Sequence, residues 1–450
     1  MSKVISVFLF VFFSFVLPAL AEVDTAWVRT YPPPKKFNVS AGQSIAVDNS
    51  GNVCVAGLIG VRKGMVTNGD FVIIKYDPMG KELWVKQYNG PGDSVDIPWD
   101  ISTDAHANIY VTGESWGVNS GRDFTTIKYD PNGRELWVRR YNSPENGLDV
   151  AKAIAVDNSG NVFVAGGTNA ETQSKYYPID FVSYTIIKYD KNGKELWVRI
   201  YKGKGFGGFG TGDMVLDRSG NLYVTIYVSN SEREDNGRWV TIKYNTAGEQ
   251  VWIREYDAPG DGYDYPRSIV VDVLGNVYVT GAAERPRIGD DRMGHNYVTI
   301  KYDRDGNELW QAIYKGEFIG AGWYLAVDSL GNVYVTGQCS DGCDYLIIKY
   351  DPNGKELWRK KYNNKGEGYP HGGIALGTSG EVYITGSAGT GIYDSEGHKL
   401  ATDPWEGLDM VVDAHGNAYL TGGVGEMDSP YSDVKLLTVK YVQISNRKQK

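Results

Sequence analysis

Residues Ile45-Ala-Val-Asp-Asn-Ser-Gly-Asn-Val-Cys-Val-Ala-Gly57 decide the fold, because this phrase returns seven more times. The copies are Ile101–Gly113, Ile154–Gly166, Met214–Ile226, Ile269–Gly281, Leu325–Gly337, Ile374–Gly386 and Met410–Gly422, with starts 56, 53, 60, 55, 56, 49 and 36 residues apart. A second phrase follows most copies, typified by Asp344-Tyr-Leu-Ile-Ile-Lys-Tyr-Asp-Pro-Asn-Gly-Lys-Glu-Leu-Trp358 and ending elsewhere at Trp84, Trp137, Trp197, Trp252 and Trp310. Self-similarity at a period of this size is the mark of a repeat architecture.

Each repeat parses into four short strands rich in β-branched and aromatic residues: A (Ile-Ala-Val-Asp), B (Asn-Val-Tyr-Val-Thr-Gly), C (Tyr-x-x-Ile-Lys-Tyr) and D (Glu-Leu-Trp-Val-Arg-x-Tyr). The A–B link, Asp-Asn-Ser-Gly-Asn, and the C–D link, Asp-Pro-Asn-Gly-Lys, carry turn chemistry, with Gly where positive φ is needed. No intervening stretch has helical period or length. Four antiparallel strands per unit predict an all-β fold, an eight-bladed β-propeller of four-stranded antiparallel blades. The last repeat lacks a Glu-Leu-Trp strand, whereas Ala26-Trp-Val-Arg-Thr-Tyr31 is a strand D with nothing before it. The N-terminal strand is therefore expected to join the C-terminal blade and close the ring, hiding two sheet edges. Seven blades is the alternative if the shortened seventh repeat, with Ala401 at the Trp position, forms no full sheet.

These two phrases resemble the bacterial SBBP β-propeller repeat, and the likeness runs over nearly all of the chain after its first residues. The resemblance implies a propeller in a secreted or cell-surface setting. It implies no single activity and brings no catalytic residue with it.

Ahead of the repeats, Lys3 precedes an apolar run from Val4 to Leu17, then Pro18 and Ala19-Leu20-Ala21. This pattern reads as a signal peptide, 1–21, removed after Ala21. A membrane anchor is the competing reading, but the run is short against the ~20 residues a spanning helix needs. Residues 22–445 then form a single propeller domain, with 446–450 a flexible basic tail. The expected location is outside the cytoplasm, periplasmic or extracellular, with no membrane span after cleavage. A net charge of −9 excludes a nucleic-acid partner, which calls for excess Lys and Arg. Three cysteines make no disulfide framework. Cys339 and Cys343 could form one local bridge, and Cys54, between Val53 and Val55, reads as a buried apolar residue.

The tryptophans of strand D read as packing between blades. No cofactor is expected. The oxygens of Asp303-Arg-Asp-Gly-Asn-Glu308 suit calcium, but hairpin turns want the same residues. The A–B and C–D links are short, so one face is plain. The B–C and D–A links, such as Leu58–Gly69, Glu114–Arg122, Gly167–Ile179, Lys202–Gly212 and Asp257–Arg267, are long and should build a functional face. Residues just before strand A should ring the channel mouth: Trp99, Asp100, Lys152, Asp213, Arg267, Trp323, Tyr324, His371 and Asp409, while the acid- and aromatic-rich loop Asp257–Pro266, with Tyr263 and Tyr265, is the preferred contact. Aromatic, acidic and basic groups at a concave rim suit a protein or carbohydrate ligand. The expected function is an extracytoplasmic binding or scaffold propeller acting through the long-loop face. The alternative is a propeller enzyme. Either it is a carbohydrate-active hydrolase or lyase using carboxylates such as Asp100 and Asp213, or it resembles the quinone-dependent dehydrogenases, whose adjacent cysteine pair this chain lacks. The sequence sets neither ligand identity nor oligomeric state.

Overall fold

The structure is a computed structural model and describes residues 22–63, 65–170, 180–208, 212–229, 237–259, 264–284, 295–315, 321–338, 345–362, 373–425 and 434–444. The expected signal peptide, the basic tail, Cys339, Cys343, Tyr263 and His371 lie outside the described residues.

Eight four-stranded antiparallel sheets are present, and no helix occurs among the described residues. Blade 1 has strands Val39–Val47, Val53–Lys63, Met65–Tyr76 and Glu82–Tyr88. Blades 2 to 6 begin with strands A at Ile97–Thr103, Leu148–Val156, Asp213–Leu216, Asp264–Val271 and Ala321–Val327. The short seventh repeat forms a full blade, from Ile374–Leu376 to Lys399–Asp403, so the count is eight and not seven. Blade 8 combines Asp409–Val412, Ala418–Val424 and Lys435–Ile444 with the N-terminal strand Glu22–Tyr31. Trp27 pairs with Lys440 and Tyr31 with Leu436, the closure expected from the sequence. Every strand A touches strand A of the next blade around the full circle, so these strands form the innermost wall.

The turn signature explains itself. Asp48 accepts the N–H of Ser50 and of Asn52 on Oδ1, both at 2.9 Å, while its N–H donates to the Asn52 carbonyl. Asp303 does the same for Asp305 and Asn307. Its carboxylate caps a hairpin turn, and no group of three His, Cys, Asp or Glu able to hold a metal occurs among the described residues.

The blades are stapled by repeated side chains. Trp27 of blade 8 sits with ring centroids 6.3 Å from Tyr419 of its own blade and 6.1 Å from Tyr76 of blade 1, bridging the interface. Its indole N–H donates to the Pro78 carbonyl, which Lys440 also reaches. Trp84 and Lys75 share Pro131 in the same way, and Trp310 and Lys301 share Pro352. The glycine of each C–D turn lies on the preceding blade's indole: a Cβ at Gly80, which has φ +77°, would meet the Trp27 ring at 2.8 Å. That glycine serves both the turn and the interface. Cys54 is fully buried, as its strand alternation implied, and burial pushes its thiol up to about 12.

Candidate functional site

Two tiers of residues line the channel wall, and a backbone irregularity separates them. Strand A of blades 1, 2, 3, 5 and 6 slips register against strand B between Gly42 and Ser44, Pro98 and Asp100, Ala151 and Ala153, Pro266 and Ser268, and Gly322 and Tyr324. Each slip leaves one residue unpaired: Gln43, Trp99, Lys152, Arg267 and Trp323. Such β-bulges re-aim a side chain. The sequence placed Trp99, Lys152, Arg267 and Trp323 in loops before strand A, but they lie inside it, because pairing continues past the bulge. Several expected loops are likewise partly ladder: Leu58–Lys63 pairs with Met65–Phe71, and Trp116 pairs with Arg122.

A glycine on strand B makes room for each bulge. Gly57, Gly113, Gly166, Gly281 and Gly337 oppose the residue before the slip. A Cβ there would strike the carbonyl of Ala41, Ile97, Val150, Tyr265 or Ala321. Blade 4 has Ile226 instead, and its strand A pairs over Asp213–Leu216 without a slip.

The upper tier stacks cations on aromatic rings. Lys152 Nζ stands 2.8 Å from the centre of the Trp99 ring, and the Arg267 guanidinium is 4.8 Å from Trp323 and 5.7 Å from Tyr265. Protein crowds both cations, yet each residue keeps some exposed surface. Burial pulls Lys152 down to about 7, against an opposing pull from Glu114, and it lowers Arg267 as well. The Trp99 indole N–H and Arg267 Nε–H have no hydrogen-bond partner among the described residues.

The lower tier holds carboxylates that join blades. Asp100 accepts the Ile101 N–H at 2.8 Å and, across the interface, the Ile154 N–H at 2.8 Å. Asp213 does likewise for Met214 and Ile269, and Asp409 for Met410 and Ile45. Ser44 of blade 1 occupies the equivalent position, and its Oγ lies 3.1 Å from Asp100 and 2.8 Å from Asp409. One hydroxyl proton cannot satisfy two carboxylates, so the trio favours uptake of a second proton. Burial, with the Asp409 charge adding to it, raises Asp100 to about 7, while burial raises Asp213 and Asp409 to about 6. The sequence reading missed Ser44, although aligning the repeats puts it at the position of Asp100. Asp100 and Asp213 are each tied to the backbone of the following blade.

These shifts set a pH dependence. Groups raised in the fold bind protons more tightly than the unfolded chain does, so their stabilisation is complete below about 4 and is lost as pH rises through 6 to 7. Asp100→Asn should therefore raise the melting temperature at about pH 8 by ~2–5 °C and flatten the rise seen on acidification towards pH 5.5. A melting profile as steep as the wild type's would show that Asp100 does not carry that proton.

Two clefts are described on the opposite, tight-turn face. One of about 460 Å³ lies between blades 3 and 4, and one of about 340 Å³ between blades 4 and 5. Lys188 and Lys243 line them but donate to the Thr246 and Arg304 carbonyls, as staples do.

This geometry defines a closed β-propeller repeat protein with a cationic and aromatic channel mouth. Residues 83–120, 136–171 and 251–282 match the SBBP family, described as a beta-propeller repeat. These stretches of the chain are SBBP-type β-propeller repeats. The chain is 31% identical over 114 residues to an uncharacterized WD repeat-containing protein of Acanthamoeba polyphaga mimivirus, covering 22% of this chain and 8% of that protein. Among solved structures, Sqt1 from Chaetomium thermophilum superposes with a TM-score of 0.51 at 12% identity, over 93% of this chain and 100% of that one. A catalytically inactive virginiamycin B lyase from Staphylococcus aureus gives 0.46 at 12%, over 82% and 98%. These likenesses concern fold alone. No helix among the described residues is long and apolar enough to cross a membrane.

Proposed function

We propose that this protein is an extracytoplasmic binding and scaffold propeller that engages a protein or glycan through its long-loop face and channel mouth. The observation that carries the reading is the upper tier. Bulges in separate blades leave Trp99, Lys152, Arg267 and Trp323 out of the strand A ladder, and among the described residues two of their donor groups lack partners. Buried donors without partners are costly to a fold, so a ligand that supplies acceptors recovers that cost. The channel carboxylates are engaged by neighbouring backbone N–H groups, which favours a blade-joining role over catalysis. The apolar N-terminal run and its Ala19-Leu20-Ala21 site support a location outside the cytoplasm.

A glycan array, with a parallel pull-down from cell-surface extracts, tests the reading. Wild-type protein should retain a ligand, and Trp99→Ala with Trp323→Ala should lose most of it while the melting curve stays cooperative. Full retention by the double variant would remove the mouth from contention.

A further inference from the structure

Resting on that binding reading, we propose that the channel mouth across blades 2 to 6 is built for an acidic oligosaccharide. In it, Lys152 and Arg267 hold carboxylate groups, and Trp99 and Trp323 provide platforms for sugar rings. The unmet hydrogen-bonding capacity of the upper tier consists of donors. Among the described residues, no ion pair or hydrogen bond engages Lys152 or Arg267; their contacts are with aromatic faces. Cation–ring stacking leaves the N–H groups of a cation available, and charge-assisted bonds to a carboxylate are the strongest use of them. Blade 4, which lies between the two cations, contributes Gly212 at the matching position and adds no side chain of its own. Trp99 and Trp323, two blades to either side of blade 4, keep part of their surface exposed beside the stacked cations, and their apolar rings suit the C–H faces of a sugar.

The acidic groups nearby do not cancel this charge. Glu114, which faces Lys152, is ion-paired with Arg122 at 3.1 Å, and Asp123 is paired with Arg140 at 2.7 Å. Around Arg267 stand Tyr265 and Tyr324, with Asp213 and Asp409 acting on Tyr324; Arg238 is paired with Glu255 on the neighbouring blade. Asp100, Asp213 and Asp409 have their oxygens occupied by backbone N–H groups and Ser44. As pH falls from about 8 to about 5.5, Lys152 gains its proton and these three carboxylates lose their charge. Both changes make the mouth more positive, while a uronic acid titrates well below that window. Affinity for an acidic sugar should therefore rise on acidification.

Calorimetric titration of the full-length protein with oligogalacturonate, its neutral methyl ester and polyglutamate, at about pH 5.5 and about pH 8, tests the assignment. The acid should bind about tenfold or more tightly than the ester at the lower pH, with the advantage shrinking at the higher. Lys152→Gln and Arg267→Gln should each cut the affinity for the acid about tenfold and leave the ester unchanged. Lys152→Arg should restore it, which separates a charge role from a packing role. Equal affinity for acid and ester would overturn the acidic assignment and leave the mouth as a glycan site. Tighter binding of polyglutamate than of the sugar acid would overturn the sugar assignment. Binding to none of the three would overturn this inference, and the array and pull-down would then decide separately whether the binding reading stands.

Discussion

A chain beginning at Pro32, without the strand Glu22–Tyr31, is expected to aggregate and, in any soluble fraction, to melt at least ~10 °C below the intact protein. Three losses coincide. The outer edge of Lys435–Ile444 becomes an unpaired ladder, which templates association with other chains. The Trp27 ring leaves the gap between Tyr419 and Tyr76, a truncation that alone costs about 3–5 kcal/mol for a buried aromatic. The bonds from Arg29 to the Gly80 carbonyl, and from the Ser40 hydroxyl to the Tyr31 carbonyl, disappear with it. Blade 8 would then hold neither itself nor blade 1. Light scattering and thermal melts read the outcome directly. A truncated chain that stays dispersed and melts like the parent would mean the ring does not depend on its closing strand.

That closure was legible before any coordinates, because Ala26–Tyr31 and the unfinished last repeat are complementary halves of one pattern. The turns were legible for the same reason: an Asp carboxylate taking two backbone N–H groups leaves Asp-x-x-Gly in most copies, with Ala107, Asn245 and Gly377 as the departures. The channel was less so. Trp99, Lys152, Arg267 and Trp323 were named from their place ahead of strand A, yet the bulges that aim them are register events, and local propensity carries little trace of register. The trace that does exist lies on the other strand, as glycine at positions 57, 113, 166, 281 and 337 against Ile226 in blade 4. The Asp100–Ser44–Asp409 arrangement was out of reach of a repeat-by-repeat reading, since it joins blades 2, 1 and 8, which meet only once the circle is closed.

Gly281→Val is expected to cost about 3 kcal/mol or more in chemical denaturation and to lower ligand retention at the mouth together with stability. A Cβ at this position runs into the Tyr265 carbonyl and comes within 2.9 Å of Pro266 Cα and 2.8 Å of the Trp239 ring. Two of these obstacles are backbone, and Trp239 is among the most deeply buried side chains of the protein, so none can give way cheaply. Strand A of blade 5 must either separate from strand B or give up its bulge. In the second case the register after Pro266 shifts by one residue, and the side chains that follow exchange faces. Arg267 would then leave Trp323 and Tyr265, while Ser268 and Ile269 would lose their places, including the Ile269 N–H that Asp213 accepts. Gly281→Ala should show most of the same effect, because the first carbon makes the collision. An unchanged denaturation midpoint for Gly281→Val would mean that strand B does not shape the bulge, and the link from the repeat's glycine to the residues at the channel mouth would fail.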